Sequence, residues 1–199
     1  MKPRTEFAHS PAVGLRRILI ATVLTVVVPS APAATPPVTV GGPFTLTASD
    51  GTTVTDRPYR GKWLLVFFGY TFCPDTCPTT LFEISTALER LGPDAAKLQP
   101  IFITVDPRRD TPQILEDYTR SFDPRIVGLT GSPDQIAAAV QEYGAHYAPR
   151  PTELAGDGYL VEHSSYLYLM DPQGMFVRGL DAGAPGDRLA EKLREIMRR

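Results

Sequence analysis

The two cysteines of the chain, Cys73 and Cys77, are the residues whose type and spacing most directly predict chemistry. A separation of four residues at the start of a helix can bring both sulfurs to one side of its first turn, where backbone N–H groups and the helix dipole favour thiolates. The spacing leaves a structural disulfide, a redox pair and a metal-binding pair open. A disulfide that closes so short a loop gains on the order of 2 kcal/mol or less. Redox or metal chemistry is therefore favoured.

A metal site needs a further donor, and the chain has three histidines. His9 lies in a predicted targeting segment, and His146 follows a predicted helix in a position typical of surface or packing histidines. His163 lies in a predicted loop directly before an apolar strand, where a sheet can present reactive groups. We expect His163 to approach both cysteines across the fold.

The donor set of two thiolates and one imidazole favours copper, and a three-coordinate arrangement suits Cu(I) particularly well. A closed structural zinc site requires four protein ligands, which this set does not supply. A covalently attached haem is disfavoured because the chain lacks a Cys-x-x-Cys-His sequence.

The elements that must position these residues alternate between apolar strands and amphipathic helices. The predicted strands are 44–47 and 52–55 in an N-terminal β-hairpin, then 63–68, 101–105, 126–129, 166–170 and 175–180, and the predicted helices begin near Pro78, Pro112, Pro133 and Pro185. The run at 63–68 is apolar without alternation, which is typical of a central strand covered on both faces. This order predicts an α/β fold, a three-layer sandwich with a mixed central sheet, and thioredoxin-like folds have the same order.

The N-terminus has the three parts of a secretory signal. Arg16 and Arg17 are followed by an apolar run at 18–28 and by small residues up to Ala34. The run is shorter than the roughly 20 residues that span a bilayer as a helix. We therefore predict a signal peptide at 1–33, with an uncleaved membrane anchor as the alternative, an extended tether at 34–43 and a single copper-binding domain at 44–199.

Charge argues against one class of partner. Without residues 1–33, which hold four basic residues and one acidic residue, 16 basic and 21 acidic residues remain, a formal charge of −5. No basic run is longer than a pair. The composition therefore gives no reason to expect nucleic-acid binding.

The chain contains three separated motifs: FFGYTFCPDTCPTT at 67–80, VDPRRDTP at 105–112, and VEHS at 161–164 followed by YLMDP at 168–172. Together they resemble the Sco/SenC family of copper chaperones. The resemblance runs from about Gly42 to the C-terminus. It implies a thioredoxin-like protein that binds copper, as Cu(I) or Cu(II), through Cys73, Cys77 and His163.

The same resemblance implies a partner and a location. Members of this family help to mature the dinuclear copper centre of cytochrome c oxidase subunit II, and some are credited with reducing the cysteines of that target. The expected location is extracytoplasmic, on the periplasmic side, either soluble after cleavage or anchored to the inner membrane. A copper donor and a thiol reductant, both unidentified, are implied as further partners.

Three carboxylates near these motifs need separate treatment. Asp106 and Asp110 follow the strand after the cysteine helix, and Asp75 lies between the cysteines. Carboxylates are hard ligands and poor partners for Cu(I). Asp106 and Asp110 are candidates for supporting the site or docking a partner, but helix capping and loop geometry is the favoured role. Asp75 is a candidate for tuning thiol acidity or capping the turn.

The alternative function is that of an enzyme, a thiol–disulfide oxidoreductase acting through a mixed disulfide of Cys73 and Cys77. Three features count against it as the sole role. The pair has three intervening residues rather than two, the strand at 166 is not preceded by proline, and an oxidoreductase mechanism assigns no role to His163. A peroxidase that uses one cysteine to attack peroxide is a weaker alternative. The prediction is a copper chaperone rather than an enzyme.

Overall fold

The computed structural model describes residues 40–153 and 158–198. The predicted signal segment at 1–33 and most of the predicted tether lie outside the described residues. Within the described ranges the strands are β1 (Thr45–Thr47), β2 (Thr53–Thr55), β3 (Trp63–Gly69), β4 (Leu98–Thr104), β5 (Val127–Leu129), β6 (Tyr147–Pro151), β7 (Tyr159–His163), β8 (Tyr166–Met170) and β9 (Phe176–Asp181). The α-helices are α1 (Thr76–Leu91), α2 (Pro112–Phe122), α3 (Pro133–Glu142) and α4 (Gly186–Met197).

The central sheet is mixed, as predicted. Its five strands follow the order β5-β4-β3-β8-β9. Strands β3, β4 and β5 are parallel, while β8 is antiparallel to β3 and β9 is antiparallel to β8. The apolar run of β3 lies in the middle of the sheet and is buried on both faces, which confirms that it is the central strand.

Helices cover both faces of the sheet and complete three layers. On one face α1 packs against α2 and α4, and Phe67 and Phe102 contact each other under this layer. On the other face Phe68 and Tyr168 pack against Tyr143 at the end of α3. The predicted N-terminal hairpin is formed by β1 and β2. The fold class is therefore confirmed.

Local signals set several helix ends. Helix α1 ends at Gly92, whose positive φ of 58° is a conformation that side chains rarely adopt. The Thr111 side chain accepts a hydrogen bond from the Ile114 N–H at the start of α2. Ser132 and Gln135 form a capping box at the start of α3. These caps fix where each helix begins relative to the strand before it.

One element was absent from the predicted fold. Strands β6 and β7 form a separate antiparallel two-stranded sheet, in which Tyr147 pairs with His163. The expectation that His163 lies in a loop is therefore wrong, because it is the last residue of β7. Pro149 and Pro151 interrupt the sequence pattern of β6, since proline is disfavoured inside strands. We call these two strands the His163 hairpin.

Candidate metal centre

The two cysteines lie at the carboxyl end of the central strand, where β3 gives way to α1. Cys73 is half-buried in the loop before the helix, and Cys77 is fully buried in the first turn. The Cys77 N–H donates to the Cys73 sulfur at 3.4 Å. Both cysteines are free thiols. The predicted placement at the helix start is confirmed, with the difference that Cys73 precedes the helix.

Gly69, the last residue of β3, makes room for the buried sulfur. A Cβ at this position would lie 2.8 Å from Cys77 Sγ and 2.6 Å from Phe102 Cε2, closer than real Cβ contacts come. The role of Gly69 was not predicted from the sequence. The available signal was a glycine at the end of a buried strand, directly before a cysteine loop.

His163 completes the group from the opposite side. Its Nε2 atom lies 3.3 Å from Cys77 Sγ, although the two residues are 86 positions apart in the chain. Its Nδ1 atom lies 3.1 Å from the Ser164 carbonyl oxygen, which can only accept. An imidazole that is protonated at Nδ1 donates to this carbonyl, and its Nε2 lone pair is then available to a metal ion that also binds the sulfurs. The ring also packs edge-on against Tyr70 and Phe67.

The donor atoms of Cys73, Cys77 and His163 all lie within 4.8 Å of one another. Among the described residues no other cluster of three or more His, Cys, Asp or Glu side chains comes together in this way. Two sulfurs and one imidazole nitrogen at such distances fit a soft metal ion in a three-coordinate arrangement. The prediction that His163 approaches both cysteines is confirmed.

His146 lies outside this group and takes a supporting position. Its N–H donates to Ser164 Oγ at 2.9 Å, and its Nδ1 atom lies 3.0 Å from the same oxygen. Ser164 is buried, and its own N–H donates to the His146 carbonyl. These contacts fix the carbonyl that orients His163. Groups of this kind, which hold a metal-binding histidine in one orientation, are common around metal sites.

The pKa values of the two thiols are shifted in opposite directions. A hydrogen bond from the Cys77 thiol is the main cause that lowers the pKa of the Cys73 thiol, to about 3, against the opposing effect of burial. His163 and the backbone N–H groups of Asp75 and Cys77 act in the same lowering direction. The pKa of Cys77 is raised by its bond to Cys73 and by burial. The negative charge therefore lies on Cys73 and the shared proton on Cys77.

This asymmetry predicts how the reduced protein reacts with iodoacetamide. An ordinary thiol has a pKa near 8.5, so its alkylation rate rises about tenfold per pH unit below that value. Because the pKa of Cys73 is far lower, we expect single labelling at Cys73 at a rate that is nearly constant between pH 5 and 7. Mass spectrometry of timed samples measures it. In Cys77→Ala the steep pH dependence should return, and a steep dependence in the wild type would contradict the prediction.

The three carboxylates of interest lie near the site without joining the donor group. Asp75 occupies the position before α1, but its exposed side chain makes no capping hydrogen bond. Asp106 pairs with Arg109 and accepts from the Tyr159 hydroxyl at 2.9 Å. The helix-capping role expected for Asp106 is wrong, because Thr111 caps α2.

Asp110 is fully buried and ties the cysteine loop to the sheet. Its carboxylate accepts from the Thr71 N–H at 3.1 Å, from the Thr71 hydroxyl at 2.6 Å and from the Thr104 hydroxyl at 2.6 Å. Burial is the main cause that raises the pKa of this carboxyl. These bonds fit the predicted role of Asp110 in fixing the loop geometry, and none of them caps a helix.

Comparison with known proteins gives consistent matches over this domain. The model of the SCO1/SenC family matches residues 32–198. The chain is 43% identical over 155 residues to SenC of Rhodobacter capsulatus, covering 77% of this chain and 69% of that protein. It is 41% identical over 140 residues to the mitochondrial SCO1 homolog 1 of Arabidopsis thaliana, covering 70% of this chain and 41% of that protein. The chain spans about half the length of several curated relatives, such as 53% of yeast SCO2.

Solved structures agree with the sequence matches. Bradyrhizobium japonicum ScoI with copper bound is 46% identical, with a TM-score of 0.71 over 78% of this chain and 98% of that one. Yeast Sco1 with copper bound is 37% identical, with a TM-score of 0.74 over 80% of this chain and 89% of that one. The solved relatives thus share the fold, and these two contain copper.

Proposed function

The chain belongs to the SCO1/SenC family, and from this membership we propose that it is a copper chaperone that carries a copper ion as cargo on Cys73, Cys77 and His163. The single observation that carries the proposal is the convergence of these three donor atoms to within 4.8 Å from two distant parts of the chain. Relatives of 37–46% identity that hold copper in their solved structures support the choice of metal.

The properties of the donors suggest how they handle the ion. Cys73 is half-buried and carries the thiolate, so it is the sulfur that an incoming copper ion meets first. Cys77 must release its proton before it can bind, and the Nε2 atom of His163 lies 3.3 Å from that sulfur. Bound copper supplies the charge that makes this release favourable. Oxidation of the pair to a disulfide removes both thiolates, and copper loading therefore requires reduced protein.

We further propose the place and the recipient of this cargo. The recipient is the dinuclear copper centre of cytochrome c oxidase subunit II, and the protein acts outside the cytoplasm with residues 1–33 as a signal or anchor, 34–43 as a tether and 44–199 as the copper-binding domain. In the described ranges, no helix is long and apolar enough to cross a bilayer. A copper donor and a thiol reductant complete the proposed set of partners.

Copper titration of the reduced protein tests the proposal. We expect one Cu(I) per chain, and we expect His163→Ala to lower the affinity by about 100-fold, because one of three ligands is lost. Affinity is measured by competition with a Cu(I) chelator. His146→Ala is the comparison variant, because of its contacts with Ser164 it loses only that of Nδ1 and keeps the two backbone contacts. It should lower the affinity by about tenfold, which is less than the loss in His163→Ala. Unchanged affinity in His163→Ala would exclude the histidine as a ligand.

The second candidate function is thiol–disulfide exchange with an extracytoplasmic target. One observation favours it: an accessible thiolate, Cys73, lies beside a buried protonated thiol, Cys77, which is the arrangement of an attacking and a resolving cysteine. Reduction of a model disulfide by the His163→Ala protein measures this activity. Full activity in that variant, together with no loss of copper affinity, would favour the reductase over the chaperone.

A further inference from the structure

The His163 hairpin is attached to the rest of the domain in an unusual way. In the described part of the chain, β6 and β7 pair only with each other and not with the five-stranded sheet. The cysteines, in contrast, follow β3 at the centre of that sheet. The distance between the imidazole and the sulfurs therefore depends on the short link from His163 to β8 and on side chains that bridge the hairpin and the cysteine loop.

Arg109 has contacts with both parts. Its guanidinium carbon lies 3.9 Å from the ring centre of Tyr159 on the hairpin, and 4.8 Å from that of Phe72, the residue before Cys73. The ring centre of Tyr70, in the same loop, lies 5.6 Å away. A planar guanidinium stacks well on aromatic faces, and such contacts strengthen when water is excluded. The Arg109 side chain is only 9% exposed.

Hydrogen bonds set the orientation of this contact. Arg109 forms an ion pair with buried Asp106 and donates from Nη1 to the Tyr159 carbonyl at 3.3 Å. The Tyr159 hydroxyl donates to the same Asp106 carboxylate at 2.9 Å. The Val161 N–H donates to the Tyr70 hydroxyl at 3.1 Å. The first and third residues of β7 are thus tied to the cysteine side, two residues short of His163.

We propose that Arg109 is a positioning residue that clamps the His163 hairpin against the cysteine loop and so sets the distance between the third donor and the two sulfurs. This inference rests on the proposed function, because the distance matters for a metal that uses all three donors. The contacts described above join Arg109 to Asp106, to the Tyr159 carbonyl and to aromatic rings on both sides. We therefore expect its effect on copper binding to pass through His163.

A double-mutant cycle in Cu(I) affinity tests that route. We expect Arg109→Met to lower affinity by about tenfold in the wild-type background and by less than about twofold in the His163→Ala background, since the histidine is then already absent. A merely structural effect would lower affinity equally in both backgrounds. Equal losses in the two backgrounds, or no loss in the wild-type background, would overturn the proposal.

A second measurement is independent of copper. In the metal-free protein, Arg109→Met should speed hydrogen exchange of the Val161 amide by about tenfold or more, while the amides of β4 exchange as in the wild type. Unchanged exchange at Val161 would overturn the clamp. If His163→Ala alone left Cu(I) affinity unchanged, the proposed function would fail, and hydrogen exchange would still decide whether the clamp exists.

Two further variants separate loss of the clamp from loss of folding. Arg109→Met leaves Asp106 buried without its cation, which can prevent folding. Tyr159→Leu removes the hairpin side of the clamp and leaves the Arg109 ion pair in place, so it should reproduce both effects. Arg125→Met is the matched control, because Arg125 also pairs with an aspartate but lies at the amino ends of the parallel strands, whereas the cysteines follow the carboxyl end of β3. A loss of affinity in this control equal to that in Arg109→Met would overturn the proposal.

Discussion

Replacing either cysteine by serine should lower Cu(I) affinity by roughly 1,000-fold, because a hydroxyl that stays protonated replaces a soft thiolate ligand. Cys73→Ser and Cys77→Ser should show equal losses in a chelator competition, since both sulfurs belong to the donor group. Retention of affinity within about tenfold in either variant would contradict the proposed ligand set, because even a contact outside the ligand set typically costs about 10–100-fold.

The two serine variants should differ in stability, which separates the role of each sulfur. Cys77 is fully buried among core side chains, so its hydroxyl replacement should lower the free energy of unfolding by about 1–3 kcal/mol. Cys73 is half-buried in the loop and its pKa is lowered to about 3, so the stability lost in Cys73→Ser should be smallest near pH 3 and should grow as the pH rises toward about 8.5. Urea unfolding of the metal-free, reduced proteins at several pH values measures both variants. A loss in Cys73→Ser that does not grow with pH would contradict the lowered pKa.

Gly69→Ala should weaken both the fold and the site. The added Cβ would lie 2.8 Å from Cys77 Sγ and 2.6 Å from the Phe102 ring, so the sulfur or the ring must move. Overpacking of this kind costs about 1–3 kcal/mol of unfolding free energy. A displaced Cys77 sulfur should also reduce Cu(I) affinity by about tenfold or more, as for other changes next to metal ligands.

Gly179→Ala provides the control for this substitution. Gly179 also lies in a strand, but a Cβ there would meet only Tyr166 Cδ1 at an ordinary 3.8 Å. We expect wild-type copper affinity and little change in urea midpoint. Wild-type stability in Gly69→Ala would show that the space beside Cys77 adapts without strain.

The sequence was most informative about features that depend on residues close together in the chain. The uninterrupted apolar run of β3 predicted the centre of the sheet, and the caps at Thr111 and Ser132 predicted where two helices begin. The position of the cysteine pair followed from the same strand and helix signals. The approach of His163 to the cysteines was predictable once the order of strands and helices indicated the fold.

The His163 hairpin could not be predicted from the sequence in this way. Strand β6 contains two prolines, Pro149 and Pro151, and a stretch longer than a tight turn separates it from β7. Neither alternating hydrophobicity nor a turn dipeptide therefore marks the hairpin. Its pairing depends on tertiary contacts such as the bond from the Val161 N–H to the Tyr70 hydroxyl, which no sequence window contains.

Gly69 and Arg109 were missed for a related reason. The need for glycine at 69 arises from a sulfur eight positions later and from a ring on the neighbouring strand. The aromatic contacts of Arg109 come from residues 37 to 50 positions away. Both roles are properties of the assembled packing, and the residue types alone do not reveal them.

The position of β3 between β4 and β8 also has a consequence for the time course of folding. Its parallel neighbour, β4 (Leu98–Thr104), follows within about 30 residues, but its antiparallel neighbour, β8 (Tyr166–Met170), follows only after almost 100. Contacts between distant segments form slowly, since a long chain must be closed before they form. A chain still emerging from the ribosome would thus expose Cys73 and Cys77 well before β8 and His163 arrive to enclose them.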